Sequence, residues 1–133
     1  MKLSFSIKQD IDLIFDYLTD MQKFVSVHPV ITQIEQMGND NYLVHETLKL
    51  GFIPFSFTYP VTIEKNMSDK TVIIRAIVFK LTRIEMKFVL KAGDSNTFIE
   101  EEIHFKSPLL VIFIMQYIFR KQQHQLFKNI EVS

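Results

Sequence analysis

The chain has 133 residues, of which 47% are hydrophobic, and its 15 basic side chains balance 15 acidic ones. This length predicts a single domain over residues 1–133, and 13 Phe with only three Gly and four Pro exclude a disordered chain. Zero net charge without a long basic run excludes an extended phosphate-binding surface, so no nucleic acid partner is predicted.

Cysteine is absent, which removes disulfide frameworks, thiolate metal ligands and thiol nucleophiles. The N-terminus alternates apolar and polar residues and has no secretory signal pattern, so we expect a cytoplasmic protein. The most apolar stretch, Leu109 to Phe119, falls well short of the roughly 20 residues that a membrane-spanning helix needs. A membrane span is therefore not predicted.

The N-terminal part of the chain predicts one strand followed by two short helices. Apolar residues alternate over residues 3–7, which is the period of a half-buried strand. Over residues 10–18 the apolar spacing changes to three and four, and the acidic start suits a helix N-terminus. A second short helix begins near Met21 and ends before Pro29, because proline disfavours helical geometry in the preceding residue.

The middle of the chain predicts an antiparallel meander of six strands, separated by turn signals at residues 38–41, 51–54, 66–69, 80–82 and 93–96. Pairing the strands through these turns gives three rungs of side chains on one apolar face, which should be buried. The predicted rungs are Glu46, Tyr59, Ala76, Met86 and Ile103; Leu48, Phe57, Val78, Ile84 and Phe105; and Val44, Val61, Ile74, Phe88 and Glu101.

A long final helix is predicted to run to about Ile130. Ser107 can cap it, and the missing amide of Pro108 costs nothing at the first helical position. The second half has a clear apolar face, made by residues 126, 127 and 130. Extended backward at about 100° per residue, this face takes in Leu109, Ile112, Met115, Gln116, Phe119 and Gln123.

The chain resembles one superfamily in its order of elements and in four local patterns. These patterns are residues 11–20 after strand one, His28-Pro29 ahead of strand two, Phe55 to Tyr59 in strand four and the helix end at 126–131. The superfamily is the START/Bet v 1-like (SRPBCC) superfamily, in its polyketide cyclase/dehydrase and lipid-transport group. The resemblance implies an α+β helix-grip fold, in which a curved seven-stranded antiparallel sheet wraps around the C-terminal helix. It also implies an apolar cavity that holds lipids, polyketides or similar molecules, but not an enzyme.

Twelve residues are candidates for contact with a ligand, because the rungs and the helical wheel direct them toward one space. They are Glu46, Phe57, Tyr59, Ala76, Met86, Phe88, Glu101, Ile103, Ile112, Met115, Gln116 and Phe119. Glu46 and Glu101 are the only acids on this face, and an inward carboxylate must be paired, hydrogen-bonded or protonated. Tyr59 is placed to bond Glu46, either as a satisfied structural pair or as acid–base groups.

The four histidines lack the spacing of a metal site, so neither a metal nor a cofactor is predicted. His45 and His104 fall on the outer face of the sheet, and His124 falls on the outer side of the last helix. His28 alone lies at the cavity edge, where a plain turn residue before Pro29 is the simpler interpretation. The amides of Gln116 and Gln123 either bind a polar group of the ligand or bond to strand groups.

The pattern favours a binding module, a carrier or sensor for a hydrophobic small molecule. A solid core would show the same pattern, so a cavity of more than roughly 300 Å³ would separate the two. The alternatives are a cyclase- or dehydratase-type enzyme that uses Glu46 and Tyr59, and a protein- or membrane-interaction domain acting through the last helix.

The interaction hypothesis depends on an apolar patch on the outer side of the last helix. Its residues are Val111, Ile114, Tyr117 and Ile118. Such a patch seldom stays exposed, so it predicts a homodimer, peripheral contact with a membrane, or cover by loops of the same chain. Because only Arg120 and Lys121 lie beside it, membrane attraction should be weak, and the dimer is favoured.

Overall fold

A computed structural model describes the backbone of residues 1–133 and every side chain except that of Leu50. In chain order the elements are β1 (Lys2–Ile7), α1 (Ile11–Thr19), α2 (Met21–Val27), β2 (Ile31–Gly38), β3 (Asn41–Leu50), β4 (Ile53–Asn66), β5 (Thr71–Val78), β6 (Thr82–Ala92), β7 (Thr97–Lys106) and α3 (Leu109–Glu131). All strand pairs are antiparallel, in the order β1-β7-β6-β5-β4-β3-β2. The predicted helix-grip architecture is confirmed.

The two short helices begin where acidic side chains cap them. Asp10 accepts a hydrogen bond from the backbone N–H of Asp12. Asp20 ends α1 and caps α2, accepting from the backbone N–H groups of Gln22 and Lys23. These bonds satisfy amides that a helix leaves unpaired, and the negative charge suits the helix dipole.

The core is fully buried around the second half of α3. Leu126, Phe127 and Ile130 are at most 1% exposed. The ring of Phe127 lies 4.5 Å from Phe5 and 6.1 Å from Phe88, measured between centroids. We call the region around these five residues the closed half, and the part of the molecule around residues 109–119 of α3 the open half.

Three of the four predicted hairpin registers are wrong by two residues. Glu46 pairs with Phe57, and Ala76 pairs with both Val61 and Ile84. Only the β6–β7 register is as predicted, with Met86 opposite Ile103. The turns decide this: for example, β3 and β4 are joined by residues 51 and 52 alone, with Gly51 in the left-handed region at φ +67°. A shift of two residues returns each side chain to the same face, so the predicted apolar face survives.

The start of α3 also differs from the sequence interpretation. Ser107 does not cap the helix; its hydroxyl bonds that of Thr82 at 2.8 Å, which ties β6 to the end of β7. Pro108 occupies the cap position without a side-chain hydrogen bond. Leu109, assigned to the inward face, is 68% exposed. The first half of α3 therefore presents a different face to the sheet from the one that the backward extension predicts.

Candidate functional site

A largely enclosed apolar cavity of about 280 Å³ lies between the concave face of the sheet, α2 and α3. This volume falls just short of the roughly 300 Å³ that would separate a ligand site from a solid core, so the choice between the two depends on the lining of the cavity and not on its size. A shallower depression of about 490 Å³ lies on the outer face of the sheet, where Arg75, Arg83 and Glu85 contribute to its lining. Because small-molecule sites are concave and mostly apolar, the inner cavity is the candidate site.

Seven of the twelve predicted residues line this cavity: Glu46, Phe57, Tyr59, Ala76, Met86, Met115 and Phe119. The other five, Phe88, Glu101, Ile103, Ile112 and Gln116, do not. Phe88, Glu101 and Ile103 are at most 1% exposed and belong to the core of the closed half. They share the concave face with the lining residues, but at that depth α3 packs directly on the sheet and leaves no space.

The α3 residues that reach the cavity were only partly predicted. Val111 and Ile118, assigned to the outer side, line it, whereas Ile112 and Gln116 do not. Val111, Met115 and Ile118 follow at intervals of four and three, the repeat of one helix face. Since the first half of α3 is apolar on every side, hydrophobicity could not identify which face turns inward.

The second short helix forms a wall of the cavity that the sequence analysis did not include. Met21 and Phe24 line it and are 7% and 6% exposed. The sequence does carry a signal for this wall, because Met21, Phe24 and the buried Val27 recur every three residues and so form one apolar face of the helix. Asn129 of α3 donates to the backbone carbonyl of Val27 at 2.8 Å, which fixes α2 against α3.

Glu46 and Tyr59 form the predicted polar pair in the cavity wall. The hydroxyl of Tyr59 donates to Oε1 of Glu46 at 2.8 Å, although Tyr59 is paired with Val44 and reaches Glu46 diagonally. Burial raises the pKa of Glu46, and the bond from Tyr59 partly opposes this rise. Burial and the neighbouring carboxylate raise the pKa of Tyr59. The pair presents a hydrogen-bonded carboxyl group to an otherwise apolar space.

A second polar pair lies at the boundary between the cavity and the closed half. Gln123 lines the cavity, and its Nε2 donates to Oε2 of Glu101, which is 1% exposed, and lies 3.5 Å from Sδ of Met86. Oε1 of Glu101 has no partner among the described groups. Burial raises the pKa of Glu101 to about 8, against the opposing bond from Gln123. Glu101 is therefore mostly protonated at neutral pH.

His28 is both the turn residue and a lining residue. Its Nδ1 accepts hydrogen bonds from the backbone N–H groups of Val30 at 3.2 Å and Ile31 at 3.1 Å. Burial lowers the pKa of the imidazole to about 3, so the ring is neutral. Because Nδ1 serves as an acceptor, the single ring proton is on Nε2. No protein acceptor bonds this N–H within the described residues.

Exposed apolar side chains, which we call the apolar rim, lie on three segments at the end of the sheet where the cavity is found. They belong to the β3–β4 turn, the β5–β6 turn and the first turns of α3, and they are Phe52, Ile53, Phe79, Leu81, Leu109, Leu110, Phe113, Ile114 and Tyr117. Phe79 has φ +54°, an uncommon value for a bulky residue. Its ring lies 5.1 Å from Phe57 and 6.1 Å from Phe55, so the strained turn closes over the cavity.

The remaining histidines add no chemistry to the cavity. His104 and His124 are exposed, while His45 is half-buried beside Glu35. Within the part of the chain that the structure describes, no three His, Asp or Glu side chains are grouped to hold a metal ion. No helix among the described residues is long and apolar enough to cross a membrane.

Comparison with protein families gives one match that covers nearly the whole chain. The family model for CoxG, described as a carbon monoxide dehydrogenase subunit, matches residues 4–131. No curated protein matches the sequence.

Solved structures with the same fold share little sequence. Ara h 8.0201 superimposes with a TM-score of 0.78 at 17% identity, over 98% of this chain and 93% of that chain. The major latex-like protein 151 of Panax ginseng gives 0.75 at 13% identity, over 99% and 94% of the two chains. The ZhuI aromatase/cyclase of Streptomyces sp. R1128 gives 0.67 at 9% identity, over 98% and 89%. These matches confirm the START/Bet v 1-like fold.

Proposed function

Since the chain belongs to the CoxG family of carbon monoxide dehydrogenase subunits and encloses an apolar cavity, we propose that it binds a hydrophobic small molecule, as a carrier or sensor in the cytoplasm. The ligand would contact the seven predicted residues that line the cavity, together with α2, His28, Val111 and Ile118. One observation carries the proposal: the space between sheet and helix has apolar walls and a few polar groups, the usual composition of a small-molecule site.

Filling the cavity provides the test. Ala76 is 5% exposed and lies in its wall, so Ala76→Phe should occupy the space that a ligand needs. Ile77→Phe is the matched control, because it adds the same ring on the outer face of the same strand, where Ile77 is 42% exposed. Native mass spectrometry of the protein from its own source should find a small molecule bound to the wild type and to Ile77→Phe only.

A folded Ala76→Phe variant that keeps the small molecule would refute binding in this cavity. Circular dichroism of both variants establishes whether they fold. If Ala76→Phe does not fold, the smaller Ala76→Leu substitution is measured in the same way. A wild-type protein that carries nothing and binds no apolar fluorophore would refute the proposal as a whole.

We further propose that the apolar rim contacts a membrane surface, from which the ligand would enter. Phe52 is 104% exposed and Leu81 is 75% exposed. The same end of the molecule carries the exposed basic side chains of Lys49, Lys80, Arg83 and Lys106, and residues 103–130 of the chain contain no acid. Apolar side chains beside several cations suit an anionic lipid surface. This larger basic set favours a membrane over the homodimer that the patch on α3 alone predicts.

Sedimentation with vesicles of phosphatidylcholine and phosphatidylglycerol tests the membrane contact. Phe52→Ser/Leu81→Ser should reduce binding at least about fivefold, because two exposed apolar side chains leave the interface. Met37→Ser/Met67→Ser is the matched control, since both residues are about two-thirds exposed and lie at the opposite end of the sheet, Met37 near the end of β2 and Met67 in the β4–β5 turn. Equal binding by the two double variants would refute the contact. A wild-type dimer that the rim variant converts to monomer would support the homodimer instead.

The second candidate function is an enzyme of the cyclase or dehydratase kind, with Glu46 and Tyr59 as acid–base groups. The hydrogen bond between them and the raised pKa of Glu46 favour it, because a carboxyl group with a raised pKa can act as a general acid. We expect a folded Glu46→Gln variant to retain turnover of any polyketide-like substrate, because Glu46 contacts the ligand but is not an essential catalytic group. Complete loss of turnover in a folded variant would favour the enzyme over the carrier.

A further inference from the structure

We propose that the cavity selects an uncharged ligand, and that Nε2–H of His28 donates a hydrogen bond to a carbonyl or hydroxyl oxygen of that ligand. This inference rests on the proposed function, since it specifies the chemical class that the same cavity accepts. It concerns two separate properties, the charge of the ligand and the position of its polar group.

The charge selection follows from the lining of the cavity. Among the described lining residues, the titratable groups are His28, Glu46 and Tyr59, and none is a lysine or arginine. A ligand carboxylate or phosphate inside would lose its hydration without gaining a cation, and it would lie in the same space as the carboxyl group of Glu46. A ligand cation would also lose its hydration, and Glu46 is a poor counterion because burial raises its pKa and so disfavours the charged carboxylate. An uncharged molecule avoids both costs.

The position of the polar group follows from the bonds that the lining side chains already make. The hydroxyl of Tyr59 is used by Glu46, and Nε2 of Gln123 is used by Glu101. His28 differs, because its Nδ1 is held by two backbone N–H groups while no protein acceptor among the described residues takes its Nε2–H. The two bonds fix the imidazole ring, so this donor is preorganised. Gln122 also lines the cavity, but it is a flexible, partly exposed side chain of α3.

Two substitutions separate the structural and the binding roles of His28. His28→Asn places an amide oxygen near the position of Nδ1, so it can keep the bonds to Val30 and Ile31 while removing the Nε2–H donor. His28→Gln places an amide nitrogen near the position of Nε2, so it can keep a donor while losing the turn bonds. Gln122→Leu is the third variant and removes the rival donor.

Charge selection is tested with two fluorophores that share one aromatic framework. N-phenyl-1-naphthylamine is uncharged, and 8-anilinonaphthalene-1-sulfonate adds a sulfonate. We expect the uncharged probe to bind the wild type at least about tenfold more tightly, which is the ratio that about 1.4 kcal/mol produces. Binding of neither probe would refute the proposed function and this inference with it. Equal binding of both, with both lost in Ala76→Phe, would keep the proposed function and overturn the charge selection.

The hydrogen bond is tested by displacing the uncharged probe with 2-undecanone, undecane and undecanoate. We expect the ratio of ketone affinity to alkane affinity to be about five- to tenfold higher in the wild type than in a variant without the donor, as one hydrogen bond provides. This advantage should vanish in His28→Asn and persist in His28→Gln and Gln122→Leu. Loss of the advantage in Gln122→Leu alone would assign the donor to Gln122.

A tight undecanoate complex would overturn the proposal in a recognisable way. If undecanoate matches the ketone and Lys80→Gln weakens it, the carboxylate lies at the rim among the basic side chains. An alkylammonium probe that binds more tightly than the ketone would show that Glu46 acts as a counterion. Both outcomes leave ligand binding intact and remove only the selection for an uncharged molecule.

Discussion

The two halves of α3 are both rich in apolar residues, yet they pack in opposite ways. In the closed half, Leu126, Phe127 and Ile130 are at most 1% exposed and contact the sheet directly. In the open half, Phe113 and Tyr117 are 61% and 71% exposed, and the inward residues border a cavity of about 280 Å³. The helix is thus anchored at its C-terminal half and separated from the sheet at its N-terminal half.

The comparison shows that one element can supply stability at one end and a binding space at the other. Burial of large apolar side chains in the closed half stabilises the fold independently of any ligand. Side chains around the cavity have unfilled space on one side, so they lose part of the contact that a close-packed core gives. Stability and binding should therefore respond to different substitutions.

The largest predicted effect is a difference in the free energy of unfolding between alanine substitutions at two phenylalanines of α3. Phe127→Ala should lower the free energy of unfolding by about 3–5 kcal/mol, because a close-packed ring leaves a void. Phe119→Ala should cost about 1 kcal/mol, since its half-buried ring already borders an open space, with the ring of Phe105 at 5.4 Å between centroids. Urea denaturation of both variants measures the difference. Equal costs would mean that the open half is packed as tightly as the closed half.

The next effect concerns the pH dependence that Glu101 gives to the closed half. Its pKa is about 8 in the folded protein and near 4.5 when unfolded, so the folded state binds more protons between these values. The contribution of Glu101 to stability is fully present below its pKa in the unfolded chain, and it is lost as the pH rises through its pKa in the folded protein. His28, whose pKa of about 3 lies below its ordinary 6.5, acts with the opposite sign below pH 6.5. Above pH 6.5 His28 therefore adds nothing to the pH dependence of stability that Glu101 produces.

Between pH 6.5 and 8 the free energy of unfolding should fall by about 1–2 kcal/mol in the wild type. Glu101→Gln should flatten this slope, because the amide does not titrate. Denaturation curves at closely spaced pH values provide the measurement. An unchanged slope in the variant would assign the proton uptake to another group.

A smaller effect is expected in the open half, where the polar pair is partly exposed to the cavity. Tyr59→Phe leaves the carboxyl group of Glu46 without its donor and should cost about 1 kcal/mol. Tyr42→Phe removes a hydroxyl group from a half-buried tyrosine for which no side-chain hydrogen bond is found, and it should cost under about 0.5 kcal/mol. Urea denaturation compares the two. Similar costs would show that the Glu46–Tyr59 bond contributes no stability.

The smallest predicted effect is at the apolar rim. Ile114 is 54% exposed, so Ile114→Glu should change the free energy of unfolding by less than about 0.5 kcal/mol. Ile118→Glu places a carboxylate in the cavity wall and should destabilise more, because that charge has no partner there. Thermal denaturation at two protein concentrations also reports any dimer, whose stability would depend on concentration. A large loss in Ile114→Glu would mean that this side chain is covered.

The sequence predicted correctly the properties that a short repeat of apolar residues determines. Alternation along each strand assigned Glu46, Tyr59, Ala76 and Met86 to the concave face, and it did so even though three registers were wrong by two residues. The Glu46–Tyr59 bond was predicted for the same reason, because a diagonal neighbour on one face is still within reach of a long side chain. The face on which a strand residue lies is predicted correctly even when an error in turn length shifts the register by two residues.

Periodicity gave wrong predictions where polar and apolar residues do not alternate along the chain. Residues 109–119 are apolar in nearly every position, so a helical wheel has no polar side from which to orient itself, and Val111 and Ile118 were assigned to the wrong face. Phe88 and Glu101 were assigned to the correct face but not to the correct depth. Depth depends on where α3 separates from the sheet, and no local period encodes that distance.

By itself the sequence determined the order of the elements, the antiparallel sheet, the buried face of each strand and the acids that point inward. Those properties depend on contacts between near neighbours in the chain, which periodicity, caps and turn residues encode. The tertiary structure alone decided which residues border empty space, that α2 closes one side of it, and that Ser107 bonds Thr82. These properties depend on distances between elements far apart in the chain, which only the packing of the whole molecule sets.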